Sequence, residues 1–174
     1  MSGLTALCAL VRWSTGAAAV SVATVADDHL HYMAADGAGA DAIVGTRLPA
    51  GRGIAGFAAA TGQSLTVRDP ASDPRFARDT AEATGYVPVS LQCVPVEDAE
   101  GDVVAVVSIL DRADSPLRDG TPNVPLERVT EVIAALLAGA PSGTGPQVRL
   151  PGLSAAERDG ATGVLRSVLD ALER

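Results

Sequence analysis

The chain reads GRGIAGFAAATGQS over residues 51–64, DPASDPRF over residues 69–76 and SLQCVPV over residues 90–96. Gly51 and Gly53 are suited to a tight turn, because glycine adopts positive φ at no steric cost. The turn leads into a predicted helix over residues 54–61, which Gly62 ends. No Lys-Ser or Lys-Thr pair follows these glycines, as a phosphate-binding P-loop would require. The glycines therefore predict a turn and close helix packing, not a phosphate site.

The sequence on both sides of this region predicts a sheet flanked by helices. Residues 20–25 alternate with a period of two, as a half-buried strand does. The pair Asp27-Asp28 predicts a turn into a second strand over residues 29–34, so that the two strands form a hairpin. Residues 103–110 form the most apolar strand, which we expect at the centre of the sheet. The other predicted elements are helices over 4–13, 76–84 and 126–138, extended segments over 46–48, 64–67 and 89–96, and a flexible Gly/Ala/Asp stretch over 35–45.

The length of the chain, 174 residues, fits one domain with an appendage. Residues 141–152 are rich in Pro and Gly, a composition typical of a linker. Ser154 and Glu157 then form a capping-box pattern, which predicts the start of an amphipathic helix. We therefore predict a domain over residues 1–140, a linker over 141–152 and a C-terminal helix over 153–174.

The net charge of the chain is −8, and its 13 basic residues are all arginines that are scattered along the sequence. A nucleic-acid-binding surface needs clustered positive charge, so we expect no nucleic-acid partner. No stretch reaches the roughly 20 apolar residues that span a bilayer, so we expect no membrane association. Two distant cysteines predict neither a disulfide framework nor a metal site. We expect a cytoplasmic protein, and the Ala-, Gly- and Arg-rich composition is typical of a GC-rich bacterial genome.

The order of these elements and motifs resembles the GAF domain family over residues 4–138. Gly-Arg-Gly-Ile…Thr-Gly, then Asp-Pro-Arg-Phe, then Ser…Val-Pro-Val occur in the family's order. The resemblance implies an α+β fold, GAF-like and PAS-related, with a central antiparallel sheet of about six strands. Terminal helices would pack on one face of the sheet, and crossover helices and loops on the other.

The resemblance also implies a pocket between the sheet and the crossover segments. Leu91 and Cys93 share one face of their strand, because successive side chains alternate. By similarity to ligand-bound GAF domains, that face looks into a mainly apolar pocket for a small, largely apolar molecule. The alternative is a fully packed core without a cavity. The predicted ligand-binding residues are Leu91, Cys93, Ser108 and Leu110 on the strands, with Phe57, Phe76 and Tyr86 closing the pocket.

One branch of the GAF family reduces free methionine sulfoxide by means of an attacking thiolate and resolving cysteines. In that branch a cysteine stands where this chain has Ala55, and substrate-binding carboxylates stand near Leu91, Ser108 and Leu110. All of these groups are replaced here. We expect Cys93 to be a buried, unreactive side chain. We therefore predict no enzymatic activity and no catalytic residue, and a cysteine-dependent free methionine sulfoxide reductase is the less favoured alternative.

Other ligand chemistries of the family are also not supported by the sequence. His29 and His31 point to the same side of a strand, but no third metal ligand lies near them in the sequence. Asp111-Arg112 follows the central strand without the Asn-Lys…Phe-Asp-Glu set of cyclic-nucleotide-binding members. We therefore predict no metal and no cofactor.

The terminal helices carry apolar stripes, which predict a surface for packing. In this family such helices often form a dimer bundle, which implies a homodimer. No kinase, cyclase or DNA-binding domain is recognised in the chain, so we expect a sensory domain that signals through a partner protein. A protein-interaction module without a ligand is the alternative. The predicted interface residues are Leu4, Leu7, Val11, Val129, Ile133 and Leu136, with Val164, Val168 and Leu172 on the C-terminal helix.

Overall fold

The computed structural model describes residues 3–112 and 126–138 of the chain. The chain divides into two units, Met1–Gly139 and Ala140–Arg174, and the first contains every described element. Three predictions lie outside the described residues: the linker 141–152, the C-terminal helix with Val164, Val168 and Leu172, and the side chain of Leu136.

One antiparallel sheet of six strands organises the described domain. The strands are β1 (Ala19–Ala26), β2 (His29–Gly37), β3 (Arg47–Pro49), β4 (Leu65–Arg68), β5 (Ser90–Glu97) and β6 (Val103–Leu110). Their order across the sheet is β3-β2-β1-β6-β5-β4, so the apolar β6 is central, as predicted. The predicted α+β architecture around an antiparallel sheet is confirmed.

Five described α-helices connect or flank the strands. They are α1 (Gly3–Thr15), α2 (Ala40–Ile43), α3 (Gly53–Thr61), α4 (Arg78–Ala83) and α5 (Leu126–Leu137). Gly62 ends α3 in the left-handed conformation, with φ of 64°, and its N–H donates to the Ala58 carbonyl. Such a glycine satisfies one of the carbonyls that a helix end leaves without a partner. No described helix has the length and apolar character needed to cross a bilayer.

The two long terminal helices pack on one face of the sheet. Cys8 and Val11 of α1, and Val129 and Ile133 of α5, join the inward side chains of β1, β5 and β6 in one apolar core. The 3.6-residue spacing of the helix side chains and the two-residue alternation of the strands bring these groups together.

The described residues of the predicted dimer interface belong to this core or pack against it. Val11, Val129 and Ile133 are buried within the single chain, and Leu4 and Leu7 pack against the same cluster. The apolar stripes on α1 and α5 are therefore explained by packing on the domain's own sheet. These residues do not support the predicted homodimer, which stays a prediction.

The hairpin of β1 and β2 is built as predicted, with one irregularity. Asp27 and Asp28 form its turn with φ of 50° and 57°, which suits the twist of the flanking strands. The register shifts beside Met33, because Ala23 pairs with Tyr32 and Val22 pairs with Ala34. Met33 is the extra residue of this β-bulge, and its side chain is exposed.

The predicted flexible stretch over residues 35–45 is wrong. β2 continues to Gly37, and α2 occupies Ala40–Ile43. Gly39, in the left-handed conformation, begins the helical turn by accepting N–H bonds from Ala42 and Ile43. The composition misled the prediction, because here glycine fixes particular backbone angles and alanine packs closely.

Candidate functional site

A cavity of about 100 Å³ lies between the sheet and the segments that cross its second face. We call the strand surface that faces this space the cavity face. Alanines line much of the space, including Ala19 and Ala35 on the sheet and Ala55 and Ala81 on the helices. Since their side chains end at Cβ, they leave a gap that longer side chains would fill. Leu48, Ile54, Phe76, Leu91 and Leu110 complete the apolar part of the lining.

The size of the cavity limits what it can hold. Sites for drug-sized ligands span about 300–1,000 Å³, whereas an apolar cavity of about 150 Å³ is enough for benzene or xenon. A volume of about 100 Å³ fits a molecule of a few non-hydrogen atoms. In this conformation the cavity is too small for a cyclic nucleotide.

The cavity lining carries no charged side chain. Its polar groups are all hydroxyls, from two serines, two threonines and two tyrosines. They belong to Ser21, Tyr32, Thr80, Thr84, Tyr86 and Ser108. Such a lining favours an uncharged or largely apolar ligand, because an unpaired charge is costly to remove from water.

Ser21, Ser108 and Cys93 form a row across three neighbouring strands. Ser21 of β1 pairs with Ser108 of β6, and Ser108 pairs with Cys93 of β5. The Cys93 Sγ and the Ser108 Oγ lie 3.5 Å apart, within hydrogen-bonding distance for sulfur. Burial raises the pKa of the Cys93 thiol to about 12, so the thiol stays protonated at neutral pH.

Tyr32 lies on the cavity face of β2, next to this row. Only 8% of its surface is exposed, and burial raises the pKa of its hydroxyl. No hydrogen bond to this hydroxyl is present among the described residues. Tyr32 therefore places a protonated hydroxyl with free bonding capacity beside an apolar space.

Tyr86 also lines the cavity and is held by Asp111. The Tyr86 hydroxyl donates a hydrogen bond to the Asp111 carboxylate, and burial together with this carboxylate raises the tyrosine pKa to about 12. The same carboxylate accepts the N–H groups of Val89 and Ser90, at 2.8 and 2.7 Å. Asp111 thus fixes the segment that leads into β5 against the end of β6.

The structure places five of the seven predicted ligand-binding residues at the cavity. Phe76, Tyr86, Leu91, Ser108 and Leu110 line it. Cys93 shares the cavity face but is fully buried behind Ser108. Phe57 does not line the cavity, and its ring lies 4.8 Å from the guanidinium carbon of Arg75.

Sequence reasoning missed Ser21 and Tyr32. The alternation of β1 contained the signal for Ser21. Ser21 lies opposite Ser108 in the β1–β6 pair, so both side chains point toward the cavity. Tyr32 was hidden by the bulge at Met33, which breaks the period-two alternation of β2. A prediction from strict alternation would have placed Tyr32 with Ala34, yet Ala34 packs in the core on the other face.

Several charged residues of the crossover segment, residues 69–89 between β4 and β5, have hydrogen-bonding partners. Asp73 accepts two hydrogen bonds from the Arg75 guanidinium, at 2.9 and 2.7 Å. Arg52 pairs with Asp79, and Arg78 donates to the Ala71 carbonyl. None of these charged side chains lines the cavity. The segment therefore encloses the site without contributing charge to it.

The two histidines lie away from the cavity. His29 Nδ1 lies 2.7 Å from the Asp27 carbonyl oxygen, and His31 Nε2 accepts from the Arg47 guanidinium at 3.1 Å. Within the described residues, no group of three His, Cys, Asp or Glu side chains is placed to hold a metal.

Comparison with known proteins identifies the architecture. No family model matches the chain. The GAF domain of an Acinetobacter phosphoenolpyruvate-protein phosphotransferase superposes with a TM-score of 0.56 at 16% identity, over 78% of this chain and 77% of that one. The fold is that of a GAF domain.

Two further similarities are to proteins that are named as enzymes. The chain superposes on the free methionine-R-sulfoxide reductase from Neisseria meningitidis with a TM-score of 0.58 at 23% identity, over 75% of this chain and 73% of that one. A dual cyclic-AMP and cyclic-GMP phosphodiesterase 11A from Takifugu rubripes is 30% identical over 69 residues, 40% of this chain. The chain spans only 8% of that relative's length. The structural similarity supports the fold, and neither similarity shows what this chain does.

Proposed function

We propose that this GAF domain is a non-catalytic sensory or regulatory domain. It binds a small, largely apolar molecule in the cavity and signals through a partner protein. The observation that carries the proposal is the cavity itself, a space of about 100 Å³ with an apolar lining and a few hydroxyls. Small-molecule sites commonly combine an apolar lining with a few placed polar groups.

The chemistry of the lining argues against a thiol-dependent enzyme. A reductase needs an accessible thiolate, and a thiol of raised pKa in an apolar setting is not one. Cys93 is fully buried, with a pKa of about 12. Cys8 is buried in the other core, and its pKa is also raised to about 12. Ala55, Leu91, Ser108 and Leu110 line the cavity. By the family resemblance, the reductase branch has a cysteine where Ala55 stands and carboxylates near the other three residues.

Native mass spectrometry of gently purified protein detects a bound ligand whatever its chemical identity. We expect the full chain to retain a small molecule, seen as a mass above that of the polypeptide. Ala81→Leu places three extra carbons at the cavity and is expected to abolish the added mass. Ala83→Leu is the matched control, because Ala83 lies on the same helix but is exposed and does not line the cavity.

The variant pair decides between specific and adventitious binding. Added mass that is equal in wild type, Ala81→Leu and Ala83→Leu would contradict binding in the cavity. Protein without any bound mass, even after incubation with small apolar compounds, would favour the interaction module without a ligand.

A further inference from the structure

Two residues on the cavity face are largely buried, yet their hydroxyls lack a hydrogen-bond partner among the described residues. Tyr32 is 8% exposed and Ser21 is 6% exposed, and both line the cavity. No hydrogen bond to either side-chain oxygen is present among the described residues. Ser108 differs, because its hydroxyl already lies 3.5 Å from the Cys93 sulfur.

The two free oxygens face the cavity and not the packed core. In the described part of the chain, every fully buried side-chain nitrogen or oxygen has a hydrogen-bond partner. The Tyr32 and Ser21 oxygens have none, so they retain accessible surface, and the cavity is the space that both residues line. These hydroxyls therefore keep their hydrogen-bonding capacity for whatever occupies the cavity, whether water or a ligand.

The charge of such a ligand follows from what surrounds it. No charged side chain lines the cavity, and the Asp111 carboxylate beside Tyr86 is engaged by Tyr86, Val89 and Ser90. A bound cation or anion would therefore lose its hydration without gaining a countercharge. An uncharged oxygen needs no countercharge and satisfies a tyrosine donor.

We infer that the ligand is a compact uncharged molecule whose oxygen, in a carbonyl or hydroxyl group, accepts a hydrogen bond from Tyr32 and contacts Ser21. This inference rests on the proposed function and specifies the ligand class of the same cavity. The ligand's carbon skeleton occupies the alanine- and leucine-lined part, and its polar end lies at β1 and β2.

Four small probes separate the contributions of shape, oxygen and charge. They are cyclopentanone, cyclopentane, cyclopentylammonium and nitrate, each titrated into the full chain with backbone amide chemical shifts as the readout. We expect both uncharged probes to bind and both ions to bind more weakly than cyclopentanone. In Tyr32→Phe, which removes only the hydroxyl, we expect about two- to tenfold weaker cyclopentanone binding, as the loss of one net hydrogen bond gives.

Cyclopentane provides the internal control for folding, since its affinity should stay within about twofold in the same variant. We expect Ser21→Ala to weaken cyclopentanone in the same direction. Ser14→Ala is the matched control, because the Ser14 hydroxyl is buried but donates to the Val11 carbonyl at 3.1 Å, away from the cavity. It should change neither affinity.

The outcomes distinguish this inference from the proposed function. Equal cyclopentanone affinity in wild type, Tyr32→Phe and Ser21→Ala would overturn the inference, since water alone would then satisfy the hydroxyls. Tighter binding of nitrate or cyclopentylammonium than of cyclopentanone would overturn the neutral ligand class. If none of the four probes shifts the cavity residues, the proposed function fails together with the inference.

Discussion

At the scale of single residues, the pair of Asp73 and Arg75 defines the geometry of the crossover segment. The Asp73 carboxylate accepts hydrogen bonds from the Arg75 guanidinium and from the Arg75 backbone N–H, the latter at 2.9 Å. The same guanidinium lies over the Phe57 ring. The pair thus connects the segment before α4 to helix α3 next to the cavity.

The Arg75 hydrogen bonds lower the pKa of Asp73 to about 2. A carboxylate whose pKa is lower in the folded state stabilises the fold above its unfolded pKa of about 3.9. This contribution is lost as the pH falls from about 4 to about 2. Arg75→Gln should raise the Asp73 pKa part of the way to its ordinary value, because the backbone N–H bond remains.

A carboxyl NMR titration measures this change directly. Arg78→Gln is the control, since Arg78 donates to the Ala71 carbonyl and not to Asp73. An Asp73 pKa that is the same in wild type and Arg75→Gln would show that the guanidinium does not set it.

Single residues also show where sequence information about the site ends. Leu91, Ser108 and Leu110 could be placed at the cavity because alternation is uninterrupted over residues 90–96 and 105–110. Phe57 could not be placed, because its contact with Arg75 depends on how the crossover segment folds back. Tyr32 could not be placed either, since the bulge beside it follows from strand pairing and leaves no mark in the local sequence.

At the scale of elements, the end of β2 is a tightly packed connection of the sheet. Gly37 has φ of 101°, and a Cβ added there would lie 2.2 Å from the Ala18 carbonyl oxygen and 2.9 Å from the Ala19 Cα. Both neighbours are backbone atoms, which cannot move without displacing β1. Gly37 therefore allows β1 and β2 to lie close together at the end of β2, just before the chain continues to α2.

Gly37→Ala should lower the free energy of unfolding by roughly 3 kcal/mol or more, as the sum of backbone strain and overpacking. Gly45→Ala separates the two effects, because Gly45 has φ of 89° but no atom within 4 Å of an added Cβ. It should cost roughly 1 kcal/mol, from the strained backbone alone. Chemical denaturation of both variants gives the comparison. Equal decreases in the free energy of unfolding would show that the close approach at Gly37 does not affect stability.

The elements were predictable to the extent that their patterns are local. Alternation, apolar spacing and glycines predict the strands of the β1–β2 and β5–β6 hairpins, the turn at Asp27 and Asp28, and the ends of α1 and α3. Helix α2 was missed because four residues are too few to show a helical period. Its position depends on the packing of the stretch after Gly37 beside the sheet, which is a tertiary effect.

At the scale of the whole molecule, the sheet divides the domain into two apolar regions that are packed differently. The face covered by α1 and α5 is a packed core of valines, isoleucines, alanines and a cysteine. The other face is covered by short helices and carries alanines, serines and a tyrosine around an open space. The first region stabilises the fold, and the second gives the domain room for a ligand.

The existence of this room is the central claim, and xenon tests it most directly because xenon binds in apolar cavities without specific contacts. In crystals of the wild-type protein under xenon pressure, we predict a bound atom between Leu91, Leu110 and α4. Ala81→Leu should remove that atom, and Ala83→Leu should keep it. A wild-type crystal without xenon at this position, with Phe76 or its neighbours filling the space, would contradict the account.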